Sequence, residues 1–207
     1  MDEAALHESW INAWRALDVA SPSEALLDEL LAAHCEAHRA YHTLQHLGEC
    51  LALLHARRDR PAQRPAEVAI ALWFHDAVYD VHRHDNEERS ADWARRVMLE
   101  SGVSEEAADR VHALILATRH DAQPEGGDAQ LLVDIDLAIL GATPDRFAEY
   151  ERQIRIEYLH VPADVFETKR REILAGFLAR DPLYLTGPMR ARFEEAARAN
   201  LKRAIKR

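Results

Sequence analysis

Residues 65–79 read Pro65-Ala66-Glu67-Val68-Ala69-Ile70-Ala71-Leu72-Trp73-Phe74-His75-Asp76-Ala77-Val78-Tyr79. Val68 and Leu72 recur at helical spacing with alanine spacers between them, which predicts an apolar helix from Pro65 to about Val78. Two ligand-type side chains, His75 and Asp76, end this greasy run. Burying a carboxylate and an imidazole beside Trp73 and Phe74 costs on the order of several kcal/mol unless something pairs with them, and a divalent cation satisfies both. An isolated His-Asp dipeptide more often marks a helix end where both side chains reach water, so the surroundings of the pair decide its reading.

Outward from this stretch the periodicity is helical almost throughout, and no segment alternates apolar and polar residues well enough to demand a strand. Leu6, Trp10, Trp14 and Leu17 define a first amphipathic helix ending before Ser21-Pro22. Ser21 as cap, Pro22 in the first turn and Glu24 three residues after the cap predict a second helix reaching about His38. Leu44, Leu47, Leu51 and Leu54 predict a third from Thr43 to about Arg57. Asp85 with Glu88 opens a helix that Ser101-Gly102 ends, and Ser104 with Glu105 and Glu106 opens the next, to about Arg119. The loop Asp121 to Asp128, containing Pro124 and Gly126-Gly127, precedes an apolar helix around Leu131 to Leu140. Helices from Thr143-Pro144, from about Asp164 to Ala179 and from about Pro188 to Arg203 complete an all-α bundle of eight to ten helices. It is expected to be one domain over 1–207, with helices from about residue 145 as an extension of it.

Composition narrows the partners. The chain has 26 Lys plus Arg against 36 Asp plus Glu and a formal net charge of −10 over 207 residues, which would repel a nucleic-acid polymer over most of its surface. No window approaches the roughly 18 uninterrupted apolar residues of a membrane span, and the acidic start Met1-Asp2-Glu3 is unlike a secretory signal. A cytoplasmic protein without membrane partners is the expectation. Cys35 and Cys50 are the two cysteines, without Cys-x-x-Cys spacing, and read most simply as buried free thiols. Twelve histidines are the unusual number.

Upstream of the pair, Arg39-Ala40-Tyr41-His42-Thr43-Leu44-Gln45-His46 sets His42 and His46 four apart, a spacing that can share a helix face. Downstream, Val133-Asp134-Ile135-Asp136-Leu137-Ala138-Ile139-Leu140 places two carboxylates in an apolar segment. A histidine, a later His-Asp pair and a still later aspartate are together similar to the HD superfamily of metal-dependent phosphohydrolases. Tyr41-His42 with His46, Trp73 to Tyr79, Asn86-Glu87 with Ser90-Ala91, and Asp134 to Gly141 resemble one bacterial branch of it, over about residues 5–185. Arg155 to Tyr158 and Arg171 to Leu178 resemble its C-terminal half.

The resemblance implies four metal ligands, His46, His75, Asp76 and Asp136, and one divalent ion per chain rather than two, from among Mn, Co, Fe, Zn and Mg. It implies hydrolysis of a small phosphorylated metabolite or nucleotide by a metal-activated water. Asp80, Glu87 and His120 are the candidate acids and bases, Asp80 set one helical turn beyond Asp76. Glu87 can equally serve its helix dipole, and His120 can stabilise a helix end. Residues two apart cannot share a helix face, so Asp134 and Asp136 play different parts; the resemblance favours Asp136 as ligand and Asp134 as its support or a helix cap. His42 either supports a ligand or caps the helix from Thr43. Arg39 and Arg119 are the better candidates for binding substrate phosphate, ahead of Arg83 and Arg89.

Two other classes stay open. A di-iron, oxygen-using HD enzyme would need further histidines, for which His112 and His120 are available; a regulatory protein would keep the pocket for metal or nucleotide binding without turnover. A homodimer is compatible with the sequence.

Overall fold

The computed structural model describes residues 1–56 and 62–206. Among these the chain is all-α, with ten α-helices, 3-10 turns at Ala117–Arg119 and Leu137–Gly141, and no strand. Its contacts divide it into two compact units, Met1–Val133 and Asp134–Arg207.

The first unit holds α1 (Glu3–Arg15), α2 (Glu24–Ala33), α3 (Leu44–His55), α4 (Pro65–Phe74), α5 (Asn86–Glu100), α6 (Glu105–Leu116) and most of α7 (Gly127–Asp136). Helix α4 is its axle: α1, α3, α5 and α6 all pack on it. That encirclement explains the sequence of α4, because a helix covered on every side has no polar face, and every residue from Glu67 to Phe74 is buried. Trp10 meets both Trp14 and Trp73 edge-on with centroids 5.3 Å apart, and Phe74 meets Trp93 at 5.6 Å. The one charged residue within that buried run, Glu67, is satisfied by a two-pronged pair from Arg110 at 2.6 and 2.8 Å. Asp128, near the start of α7, accepts from the amides of Gln63 and Arg64 and so ties α7 to the entrance of α4.

Several boundaries differ from the sequence reading, each for a local reason. Helix α2 begins two residues later than Ser21-Pro22 predicts, because the hydroxyl that meets a free amide is that of Ser23, at Leu26 N. It ends at Ala33 instead of about His38, since His34 turns into the core and residues 34–43 run as turns. Thr43 caps α3 through Gln45 N, which leaves His42 before the helix and not on its face. Arg57, the expected end of α3, lies outside the described residues. Helix α4 stops at Phe74, so His75 is its C-cap and Asp76 to Asp80 form a loop. Asp85 occupies the N-cap of α5 without capping it, because Arg83 takes its carboxylate at 2.6 and 2.7 Å. Ser104 caps α6 as expected, its hydroxyl accepting from Ala107 N.

The second unit starts in the last turn of α7 and adds α8 (Pro144–Glu157), α9 (Ala163–Ala179) and α10 (Gly187–Ile205). The 3-10 segment Leu137–Gly141 packs on α8 and α10. A Cβ on Gly141 would stand 2.7 Å from Phe193 Cβ and from its carbonyl oxygen, so only glycine permits this approach. Asn200 Nδ2 donates to the carbonyls of Leu140 and Ala142, and the Tyr184 hydroxyl donates to Leu137 O, meeting the carbonyls that a 3-10 turn leaves open.

His34 is 1% exposed and burial pushes its pKa down to about 4, with the negative charge of Asp76 opposing. An unfolded chain therefore binds a proton below pH ~6.5 that the native imidazole refuses, and stability falls by about 1.4 kcal/mol per pH unit as pH drops from there toward 4. Urea unfolding of wild type and His34→Gln across this range is expected to show a shallower acid slope in the variant, whose side chain does not titrate.

Candidate metal centre

The turn after α2, the first turns of α3 and the end of α4 bring His46, His75 and Asp76 together inside the first unit. His46 and His75 are 3% and 2% exposed, and their Nε2 atoms lie 3.2 Å apart. Asp76 Oδ2, sealed from solvent, stands 3.0 Å from His75 Nε2 and 3.5 Å from His46 Nε2. His75 Nδ1 lies 2.8 Å from the carbonyl of Leu72. A carbonyl can only accept, so Nδ1 carries a proton, and Nε2 is the atom that faces the carboxylate. Two imidazole nitrogens and a carboxylate oxygen thus converge at separations too short for water to stand between them, and a proton or a metal cation is the species that joins them.

Burial pushes the Asp76 carboxyl upward, but the imidazoles of His75, His42 and His46 outweigh it and hold the group well below the usual carboxylate range. Positive charge at this point is therefore what keeps the carboxylate ionised.

The Asp76 to Asp80 loop is held from both flanks. On one side Arg39, whose side chain is fully buried, spends four of its N–H donors on fixed acceptors: Nε on Glu36, Nη1 on the carbonyls of His42 and Asp76, and Nη2 on the carbonyl of Ala77. This residue, expected to bind substrate phosphate, braces the loop instead. On the other side Ser90 Oγ accepts from Val78 N, while Asn86 accepts from Asp80 N and donates to Asp80 O. Asn86 and Ser90 are four apart on α5, so one helix face sets two backbone positions. His42 stacks on Tyr79 with centroids 4.1 Å apart, and Tyr41 covers His46 at 4.7 Å.

The remaining predicted residues are spread more widely. Asp80 lies in the loop and not one helical turn beyond Asp76, since α4 has ended; its carboxylate accepts from His82 N. Glu87, in the first turn of α5, is half-buried; burial pushes its carboxyl up, its own backbone amide opposes this, and the charge of Asp76 adds to the rise. His120 follows the 3-10 turn in the left-handed region, at φ 59°, a strained choice for a residue with a Cβ. Arg119 reaches outward to Glu88 at 2.7 Å and Asp121 at 3.4 Å. His112 is paired with Asp92 at 3.1 Å on the surface between α6 and α5.

In the second unit, Asp134 is 1% exposed and its carboxylate accepts from Leu185 N, Thr186 N and Thr186 Oγ1, which anchors the entry to α10. Asp134 lies late in α7 and so does not cap the helix that the sequence reading expected to begin there. Asp136 ends α7 and is partly buried; its charge acts on the buried Tyr150.

One residue at the centre is absent from the ligand set that the sequence suggests. Cys50 is 2% exposed, and its Sγ lies 3.7 and 3.8 Å from the two ring nitrogens of His46. Donor atoms of His46, Cys50 and His75 lie within 4.8 Å of one another and all three residues are buried, so the first unit carries a His/Cys/His group that could hold a metal ion. The signal is present in the sequence as the four-residue spacing of His46 and Cys50 on one helix. Comparison with known protein families, curated proteins and solved structures found no match.

Replacing Arg39 with methionine keeps the apolar stem and strands the carbonyls of His42, Asp76 and Ala77. The expected cost is about 3 kcal/mol in urea unfolding, with weakened metal binding in calorimetry because the Asp76 backbone loses its clamp.

Proposed function

We propose that the protein is a hydrolase of phosphate esters or anhydrides that uses one divalent cation held by His46, His75 and Asp76, with Asp136 as the further ligand that the HD resemblance implies. The observation that carries this reading is the convergence of Asp76 Oδ2 with two imidazole Nε2 atoms at 3.0 and 3.5 Å, one of them with its tautomer set by Leu72 O. The donor types fit the group: neutral imidazoles and a carboxylate suit Mn, Co, Fe and Zn, and leave coordination positions for oxygen ligands. When bound, such a cation lowers the pKa of water toward neutrality and polarises a phosphoryl oxygen.

The chain's own residues supply the rest. His75 keeps its proton on Nδ1 and offers Nε2, and Arg39, Asn86 and Ser90 hold the loop so that Asp76 faces the imidazoles. Glu87 is the acid we assign to the leaving oxygen: it is half-buried, it feels the charge of Asp76, and its raised pKa favours retention of a proton. A small phosphorylated metabolite or nucleotide is the substrate class, because the net charge of −10 opposes a phosphate polymer.

The test is release of phosphate or pyrophosphate from a panel of nucleotides and phosphomonoesters with Mn, Co or Mg. Wild type is expected to turn over at least one of them and to fall silent in excess chelator. Asp76→Asn is expected to lose activity together with metal, and Glu87→Gln to lower kcat by about 10²–10⁴-fold while metal stoichiometry is unchanged. A metal-replete wild type that is inactive on the whole panel would refute the hydrolase reading.

A further inference from the structure

We propose that α9 forms the interface of a reversible two-fold homodimer, packing antiparallel against α9 of a second copy so that Val165 meets the partner's Gly176 and Lys169 meets the partner's Glu172.

Helix α9 hides little within its own chain: of its 17 residues, Leu174 is the one that is buried. Its inner stripe is Phe166, Arg170 and Leu174, spaced four apart. The Arg155 guanidinium covers the Phe166 ring at 4.7 Å, and Arg170 pairs with Glu151 of α8. A second stripe faces out. Val165, Lys169, Glu172, Gly176 and Ala179 follow one another at spacings of four, three, four and three, the repeat of a seam between two helices. Val165 is 47% exposed, and the Lys169 and Glu172 side chains are 70% and 59% exposed. Ile156, Leu159, Val165 and Ile173 are four of the six exposed large apolar side chains among the described residues, so apolar exposure concentrates at the end of α8 and along α9.

Gly176 is unexplained inside the chain. Glycine weakens a helix relative to alanine, and a Cβ at this position would meet nothing within 4 Å. Against a second helix the bare position has a use, because it lets the backbones approach and leaves room for a valine.

The stripe is complementary to its own reverse. A two-fold axis crossing between Arg170 and Arg171 sets Val165 on the partner's Gly176 and Lys169 on the partner's Glu172. The large residue then meets the bare one and the cation meets the anion, each twice in the dimer. A parallel pair would instead set lysine on lysine and glutamate on glutamate, which like-charge repulsion opposes. Lys169 and Glu172 already pair within the helix at 2.8 Å, so dimerisation exchanges one partner for an equivalent one. The face carries both halves of every pair it needs, which identifies its occupant as a second copy of this chain. A helix of 17 residues is about 25 Å long, a small interface that makes the dimer weak and dependent on concentration.

Sedimentation velocity of the full-length chain from about 5 µM to about 1 mM is expected to show monomer passing to dimer. Lys169→Glu and Glu172→Lys are each expected to weaken the dimer at least about 10-fold, and the double reversal to restore it. Cysteine placement reads the register directly. Cys35 is exposed, against the sequence expectation of a buried thiol, so the background is Cys35→Ser. In it, Val165→Cys combined with Gly176→Cys is expected to give a disulfide-linked dimer under mild oxidation, and each of the two alone to remain unlinked. The two positions stand about 16 Å apart along one helix, too far to join within a chain. A chain monomeric over the whole range, a dimer indifferent to both charge reversals, or a crosslink formed as readily by one introduced cysteine as by two would overturn the proposal.

Discussion

A carboxylate oxygen and two imidazole nitrogens crowded together in a dry place are the constraint around which the first unit is organised. A carboxylate oxygen at 3.0 Å from an imidazole nitrogen whose partner nitrogen is already engaged by a carbonyl is an arrangement that bulk water would relieve, and the oxygen is sealed from solvent. Positive charge at the imidazoles is therefore what allows the packing to keep this carboxylate ionised. The encirclement of α4 accounts for how the fold sustains it: Leu72, Trp73 and Phe74 are wholly buried, so the end of the helix and the direction of His75 are set by the core and not by the polar groups.

The loop after α4 shows the same division of labour. It carries Asp76 without regular structure to fix it, and its carbonyls and amides are met by Arg39 from one flank and by Asn86 and Ser90 from the other. An arginine with a fully buried side chain is costly unless its donors are used, and four of them are. The burial that removes Arg39 from contact with any substrate is the same burial that gives Asp76 a defined position. Residues that look in the sequence like a phosphate grip and a polar pair are, in space, the scaffold that positions the loop of Asp76.

Much of this is legible in the amino-acid sequence alone. Apolar residues at three- and four-residue spacing specify the helices, because each helix must bury one face, and α4, lacking a polar face, had to be central. His75 and Asp76 are legible as candidate site residues because polar side chains at the end of an apolar run need partners, and His46 is legible through the family resemblance. Helix ends are less legible: whether Ser21 or Ser23 caps α2, or whether Asp85 caps α5 or pairs with Arg83, depends on which of several nearby donors the chain brings into reach. The part played by Arg39 belongs wholly to the folded chain, since the carbonyls of Asp76 and Ala77 lie 37 and 38 residues from it. Periodicity records what each segment must hide; only the packing of one segment against another decides what a hidden polar group will meet.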